Sequence, residues 1–174
     1  MRSSLFAIAL LFGASSGRSS LDYVRYSDPA RRYSIEHPSN WKRSDGLGLI
    51  DIRPPQRISG ARITLERLPV GQDAPSTKEQ FVERLLEPIG TVKSLKKRKH
   101  VMVGGRKALL LELIETERLR GEHGEWLPGP LEETFLIVDA GRDYYVLSLS
   151  GVGESVRQAR PEFEKVASSF KLLP

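Results

Sequence analysis

The stretch RRYSIEHPSNWKR, Arg31 to Arg43, decides the fold prediction. Residues 33–37 alternate between two faces, which is the period of a half-buried β-strand. The two faces consist of Tyr33, Ile35 and His37 on one side and of Ser34 and Glu36 on the other. Pro38 ends the strand because proline has no N–H to give to a sheet ladder. We predict that Trp41 returns to the core as a large apolar plug, with a ligand-stacking surface as the alternative.

Further strand patterns follow this stretch. They lie at residues 47–53 and 61–68, on both sides of Gly104 and Gly105, and on both sides of Ala140 and Gly141. The Gly104–Gly105 pair suits a tight turn because glycine accepts positive φ. The runs LLLELI (109–114) and TFLIV (134–138) are almost continuously apolar, which is typical of central strands that are covered on both faces.

Two helices complete the pattern. The first has capping-box spacing at Ser76 and Glu79, a single apolar stripe, and Pro88 at its end. The second is predicted to start near Pro161, because proline is favoured at the first helical position, and it carries an apolar stripe up to Phe170. We therefore predict an α+β fold, an α/β/α sandwich around a mostly antiparallel sheet of six or seven strands.

Four segments together resemble PsbP-like domains. These are YSDPARRYSIEHPSNWKRSD (26–45), VMVGGRKAL (101–109), DYYVLSLSG (143–151) and FEKVASSFKLL (163–173). In the first segment His37 stands where the family usually has an aromatic residue before Pro38, and Trp41 fills the tryptophan position. The resemblance covers residues 26–173 and implies an α/β/α sandwich around an antiparallel sheet.

The functions that this resemblance implies are diverse. Members of the family include oxygen-evolving-complex subunits of photosystem II, a small nuclear Ran-binding protein, exported bacterial lipoproteins, and chaperones that cover apolar segments of secreted effectors. These functions share no catalytic residues, so the resemblance carries no site over to this chain.

The N-terminal residues have the order of a secretory signal. Arg2 precedes an apolar run at 5–14, and small residues at Ala14 and Ser16 suit cleavage after residue 16. The run is too short for a permanent transmembrane helix, and a buried N-terminal helix or strand is the alternative. We predict a signal peptide at 1–16, a linker at 17–25 and a single PsbP-like domain at 26–174. The predicted location is periplasmic or extracellular, or the thylakoid lumen if the source is photosynthetic.

The absence of cysteine narrows the chemistry. No residue of the 174 is a cysteine, which removes disulfides, thiolate catalysis and cysteine-based zinc sites. A lipid-anchored bacterial protein needs a cysteine at its processing site, so a freely soluble exported protein is favoured over a lipoprotein.

Basic residues are concentrated in one predicted strand. Residues 91–111 hold seven lysines or arginines and no acid, in a chain whose net charge is only +5. The candidate anion-binding residues are Lys93, Lys96, Lys97, Arg98, Lys99 and His100. They could bind anionic lipid or a polyanion, although base recognition is not expected because stacking aromatics are missing. The alternative is that lysines on an exposed edge strand discourage strand-to-strand aggregation, with Lys97 opposite Glu112 across the Gly104–Gly105 turn.

A long connection at residues 118–130 provides a second candidate site. It exceeds the usual hairpin loop, and long loops with an exposed aromatic residue often carry function. We predict a partner-binding tip formed by His123, Glu125 and Trp126. The alternative is that Leu119, Trp126 and Leu127 fold back on the sheet edge.

No catalytic, cofactor or metal motif is recognised. His37, His100 and His123 lack metal-ligand spacing and are predicted to be surface or half-buried residues, and neither a G-x-S-x-G elbow nor a phosphate loop is present. We therefore predict an exported, non-enzymatic module that binds a protein partner through the 118–130 loop or an open sheet edge. Binding of anionic lipid or polyanion through residues 93–100 is the alternative, and a hydrolase whose carboxylates meet only in the fold is a third possibility.

Overall fold

The computed structural model describes residues 22–46, 48–55, 60–69, 77–87, 93–116, 129–141 and 143–174. Within these ranges the elements are, in order, β1 (Tyr23–Ser27), β2 (Tyr33–Pro38), β3 (Lys42–Gly46), β4 (Leu49–Arg53), β5 (Ala61–Pro69), α1 (Lys78–Leu86), β6 (Lys93–Val103), β7 (Arg106–Glu115), β8 (Leu131–Asp139), β9 (Asp143–Val152), α2 (Glu154–Ser169) and β10 (Lys171–Leu172). The predicted order of strands, one helix, four strands and one helix is confirmed, and a two-residue strand follows it.

The strands form two antiparallel sheets. The large sheet has seven strands in the order β3-β4-β5-β9-β8-β7-β6, which confirms the predicted α+β architecture. A separate small sheet has the order β1-β2-β10 and contains β2, the strand predicted within the stretch 31–43. Lys42 and Arg43, at the end of that stretch, belong to β3 of the large sheet. The sequence patterns did not separate these two sheets, because alternation marks a strand without marking its partners.

Both faces of the large sheet are covered, as the continuous apolar runs predicted. One face packs against α2 and the small sheet, and the other packs against α1. Successive residues of β7 supply the two layers: Leu110 belongs to the α2 layer, whereas Leu109 and Leu111 belong to the α1 layer. We call these two sides of the large sheet the α2 face and the α1 face.

The helix starts differ from the sequence prediction. The capping box of α1 is formed by Thr77 and Gln80, one residue later than predicted. Helix α2 begins at Glu154, well before Pro161, which lies inside the helix on its exposed side. Burial of Val156 and Ala159 extends the apolar stripe backward, and this packing outweighs the backbone hydrogen bond that a proline removes.

The folded part of the chain begins at β1. The predicted signal peptide at 1–16 lies outside the described residues. Strand β1 begins at Tyr23, inside the stretch 17–25 that was predicted to be a linker, because five of its residues pair with β2. The folded part of the chain therefore starts earlier than the sequence indicated.

Phe170 joins the two sheets to the end of α2. Its fully buried ring stacks on the ring of Tyr33 from the small sheet, with 6.0 Å between centroids. It also contacts the ring of Tyr145 from the large sheet at 5.3 Å. Aromatic pairs at these distances add to the stabilisation that burial alone provides. The backbone carbonyl of Phe170 lies directly against Gly104 in the β6–β7 turn.

The opening stretch behaves largely as predicted. Trp41 is 4% exposed and belongs to the core of the α2 face, so the predicted packing role is confirmed. His37 is also buried, which corrects the prediction that it is surface or half-buried. Its Nδ1 donates a hydrogen bond to the Pro38 carbonyl at 3.0 Å, and burial lowers the pKa of the imidazole. His37 is thus a buried polar residue near the end of β2.

Truncating the buried indole should destabilise the whole domain. We expect Trp41→Ala to lower the free energy of unfolding by about 3–5 kcal/mol, because it loses apolar contact and leaves a cavity. Val24→Ala on β1 is the control, since Val24 is exposed and should change little. Urea denaturation of both variants measures the difference, and a small effect for Trp41→Ala would contradict the packing role.

The β6–β7 turn offers a matched pair of glycine substitutions. Gly104 and Gly105 both have positive φ, at 56° and 77°, so either alanine variant carries a backbone cost of about 1–2 kcal/mol. A Cβ on Gly104 would also overlap the Phe170 carbonyl, whereas a Cβ on Gly105 meets no atom within 4 Å. We expect Gly104→Ala to lose clearly more unfolding free energy than Gly105→Ala in urea denaturation. Equal losses would mean that the close approach to Phe170 costs nothing.

Candidate binding surface along the edge strand β6

Strand β6 forms one edge of the large sheet and pairs only with β7 among the described strands. Six consecutive residues, from Leu95 to His100, are exposed. The register follows from the predicted Gly104–Gly105 turn, which pairs Val103 with Arg106. The hairpin expected from the sequence is therefore confirmed. No described strand pairs with the other side of β6, which we call the open edge.

The register distributes the predicted basic cluster over both faces of the sheet. Arg98 and His100 pair with residues of the α1 layer, so their side chains lie on the α1 face. Lys97 and Lys99 lie on the α2 face, because Lys99 pairs with Leu110 of the α2 layer. The six candidate residues do not form one continuous patch, and only the exposed edge connects them.

Two of the predicted basic residues form ion pairs with carboxylates of the neighbouring strand β7. The Lys97 Nζ lies 3.6 Å from Glu112 Oε1, which confirms the predicted cross-strand pair, and Arg160 of α2 approaches the same oxygen at 3.4 Å. Lys93 lies 3.9 Å from Glu115, and its side chain is only 18% exposed. An outside anion would compete with these carboxylates for both lysines.

The remaining cations of the strand are exposed. Within the described ranges, Lys96, Arg98 and Lys99 have no carboxylate within ion-pair distance. Lys96 also occupies a β-bulge, since the register shifts between Leu95 and Lys97. Bulges and lysines are both devices that discourage pairing of an edge strand with another copy of itself. The charge that remains available is therefore located at the middle of the open edge.

A groove of about 400 Å³ lies between α1 and the β6 end of the sheet. Its floor is apolar and includes Val82 and Leu109. The sheet wall carries Arg98, His100 and Lys107. The helix wall carries the carboxylates Glu79 and Glu83. At the rim, Lys78 of α1 bonds to Asp139 at the end of β8, at 3.1 Å. The groove thus combines an apolar floor with a basic wall on the sheet side.

A second groove of about 270 Å³ lies on the opposite face, between α2 and β6. Val101, Phe163 and Ala167 supply apolar surface, and Lys97 and Lys99 contribute the basic side chains of β6. The edge strand is consequently flanked by a groove on each face of the sheet. Neither groove was predicted, because each is formed by a helix that packs on residues far away in the chain.

Lys107 is a residue of this surface that the sequence prediction missed. It pairs with Met102 across the turn, which puts it on the same face as Arg98 and His100. The signal was present, because the two-residue turn fixes this register once it is recognised. The predicted basic cluster contains only residues that precede the turn.

Two carboxylates lie close to Lys93 on the α1 face. Burial raises the pKa of Glu133, the neighbouring charge of Glu115 raises it further, and Lys93 lowers it. Lys93 therefore interacts with this carboxylate pair as well as being a member of the predicted anion-binding set.

Other predicted site features lie outside the described residues or have no match in them. His123, Glu125 and Trp126 fall in the range 117–128, which the structure does not describe, so the loop site stays a prediction. In the described ranges no group of three or more histidine, aspartate or glutamate side chains is arranged to hold a metal ion. Neither described helix has the length and apolar character needed to cross a bilayer.

Comparisons with known proteins show similarity in structure alone. No protein-family model matches the sequence, and no curated protein matches it significantly. Cyanobacterial PsbP (CyanoP) from Synechocystis sp. PCC 6803 is 15% identical with a TM-score of 0.60, over 92% of this chain and 98% of that one. The Ran-binding protein Mog1p of Saccharomyces cerevisiae is 13% identical with a TM-score of 0.58, over 88% and 96% of the two chains.

A third solved structure extends the range of proteins that share this architecture. LpqN, involved in cell envelope biogenesis in Mycobacterium tuberculosis, is 10% identical with a TM-score of 0.50, over 89% of this chain and 92% of that one. The PsbP-like fold implied by the sequence resemblance is therefore confirmed. At these identities the comparison identifies the fold and carries no site residue over to this chain.

The charge interaction between Lys93 and Glu133 can be tested through the pKa of Glu133. We expect Lys93→Met to raise the pKa of Glu133, because the cation that favours its ionised form is removed. Lys97→Met is the matched control, since Lys97 pairs with Glu112 on the other face of the sheet. An NMR titration of the glutamate carboxyl carbons measures both variants. An unchanged Glu133 in Lys93→Met would contradict this interaction.

Proposed function

We propose that the chain is an exported, non-enzymatic binding module that binds a protein partner along the open edge of β6. The observation that carries the proposal is the combination of an edge strand with six consecutive exposed residues and a groove on each of its faces. Grooves with an apolar floor and a few polar groups are typical of binding sites. The Ran-binding activity named for Mog1p supports a binding role for this fold.

Export is supported by the sequence at the N-terminus. Arg2, the apolar run at 5–14 and the small residues before position 17 together have the order of a secretory signal. The proposed location is periplasmic or extracellular, or the thylakoid lumen in a photosynthetic source. We propose no cofactor or metal for the binding role.

A second candidate function is binding of anionic lipid or a polyanion through residues 93–100. The exposed side chains of Lys96, Arg98 and Lys99 favour it, because they have no carboxylate partner in the described part of the chain. Such binding depends on counterion release and weakens steeply with salt, whereas an apolar protein contact changes little. The 118–130 loop with Trp126 is a second possible docking element for a protein partner.

Partner capture with charge-reversal variants tests these proposals. The C-terminally tagged chain is expressed in its source organism and recovered, without cross-linking, at low and at high salt. We expect a protein partner whose recovery falls only in part at high salt, because apolar and backbone contacts persist there. The same partner should be lost at low salt in Lys96→Glu/Lys99→Glu, because these substitutions reverse the charge of the open edge. The matched control Lys42→Glu/Lys165→Glu has the same net charge and alters exposed residues away from β6, since Lys42 lies on β3 at the other edge of the large sheet and Lys165 lies over the Tyr23 ring of β1. It should therefore retain the partner.

The alternative outcomes point to the other candidates. Loss of the partner in Trp126→Ala with retention in the β6 variant would assign the contact to the 118–130 loop. Recovery of lipid or polyanion alone, released by salt, would overturn the protein-binding proposal in favour of the basic strand.

A further inference from the structure

We propose that β6 binds an extended acidic segment of the partner protein as an eighth strand of the large sheet. This inference rests on the proposed function and specifies both the chemistry of the partner and its mode of docking. Strand addition at a sheet edge derives its affinity from backbone hydrogen bonds and its specificity from alternate side chains.

The backbone of β6 has a regular set of hydrogen-bonding groups that do not bond to β7. The ladder with β7 is uninterrupted from Lys97 to Val103, beyond the bulge. The two-residue turn makes Val103 and Arg106 a hydrogen-bonded pair, and bonded and non-bonded pairs alternate along an antiparallel ladder. The N–H and C=O groups of the alternate residues therefore point away from β7 toward the open edge. These residues are Arg98, His100 and Met102.

Charge selects the kind of segment that this edge accepts. The exposed centre of the strand carries Lys96, Lys97, Arg98 and Lys99 in sequence, and Glu112 is already shared by Lys97 and Arg160. Opposite charges on adjacent strands stabilise pairing, and like charges oppose it. An acidic strand is thus attracted, whereas a second copy of β6 is repelled. The lysines that oppose pairing with a second copy of β6 would thus also attract the acidic segment of the partner.

Exposed apolar side chains lie on both sides of the charged centre. Among the described residues the exposed large hydrophobic side chains are Val24, Leu95 and Met102, and two of these three belong to β6. Leu95 is 45% exposed and Met102 is 65% exposed. A paired strand would cover them, so the expected segment has carboxylates at its centre and apolar residues toward its ends. Its side chains would alternate between the α1 groove and the α2 groove.

A synthetic peptide tests this docking mode directly. The probe is a fluorescein-labelled peptide of sequence Leu-Thr-Glu-Val-Glu-Thr-Leu with blocked ends, titrated with the full-length chain in a fluorescence anisotropy assay. Two control peptides are used: one has lysine in place of both glutamates, and the other has N-methyl groups on alternate amides. We expect the probe to bind and both control peptides to fail. The first control has the opposite charge, and the second keeps the charge but lacks the amide N–H groups that the backbone ladder needs.

Substitution at His100 separates the backbone contact from the side chain. His100→Pro removes an N–H that faces the open edge without removing a bond to β7, and proline is tolerated at such edge positions. His100→Gln retains the N–H and removes the imidazole. We expect about tenfold weaker probe binding for His100→Pro and little change for His100→Gln. Equal weakening in both variants would overturn the proposal, because the side chain would then be the binding group.

Amide hydrogen exchange provides a readout that does not depend on a variant folding. In the free chain the amides of Arg98, His100 and Met102 should exchange faster than those of Lys97, Lys99 and Val101, which bond to β7. The probe should slow the first set specifically. Binding of the N-methylated peptide as tightly as the probe, or unchanged exchange of these three amides with the probe bound, would overturn strand addition. If the probe fails while partner capture still depends on β6, the proposed function stands and this inference fails.

Discussion

The packing of Phe170 at the end of α2 is the contact on which the arrangement of the other elements depends. Its ring lies between Tyr33 of the small sheet and Tyr145 of the large sheet, and its carbonyl lies against the Gly104 turn. One buried residue thus fixes α2, both sheets and the β6–β7 hairpin relative to each other. Because protein interiors are close-packed, a change at this junction is transmitted to every element that meets there.

The candidate binding surface follows from that arrangement. The hairpin is held at its turn by Phe170, and the turn sets the register that distributes the basic residues between the two faces of β6. A cluster that looks uniform in sequence therefore becomes two sets of side chains with different surroundings. Lys97 faces Glu112 and α2, whereas Arg98 faces α1 and its acidic wall. The open edge between them is the element that both sets share.

Local patterns predicted the elements better than they predicted the arrangement of those elements. Proline at position 38, the paired glycines at 104 and 105, and the apolar runs of β7 and β8 each act through neighbouring residues, so their consequences were visible in sequence. The predicted start of α2 at Pro161 was wrong, because tertiary packing of Val156 and Ala159 outweighed the preference of proline for the first helical position. The burial of His37, the separate small sheet and the two grooves depend on contacts between distant residues, which periodicity does not report.

The small sheet has a consequence for the order in which the chain can fold. Its central strand β2 lies between β1, close before it in sequence, and β10, which pairs Lys171 with Ser34 and Leu172 with Tyr33. Leu173 adds a backbone hydrogen bond to Arg32. A chain emerging from a ribosome can form β1 and β2 early, but this sheet closes only after residues 171–173 have been made. Such closure between residues far apart in sequence is slow, and the small sheet stays incomplete until that segment is available.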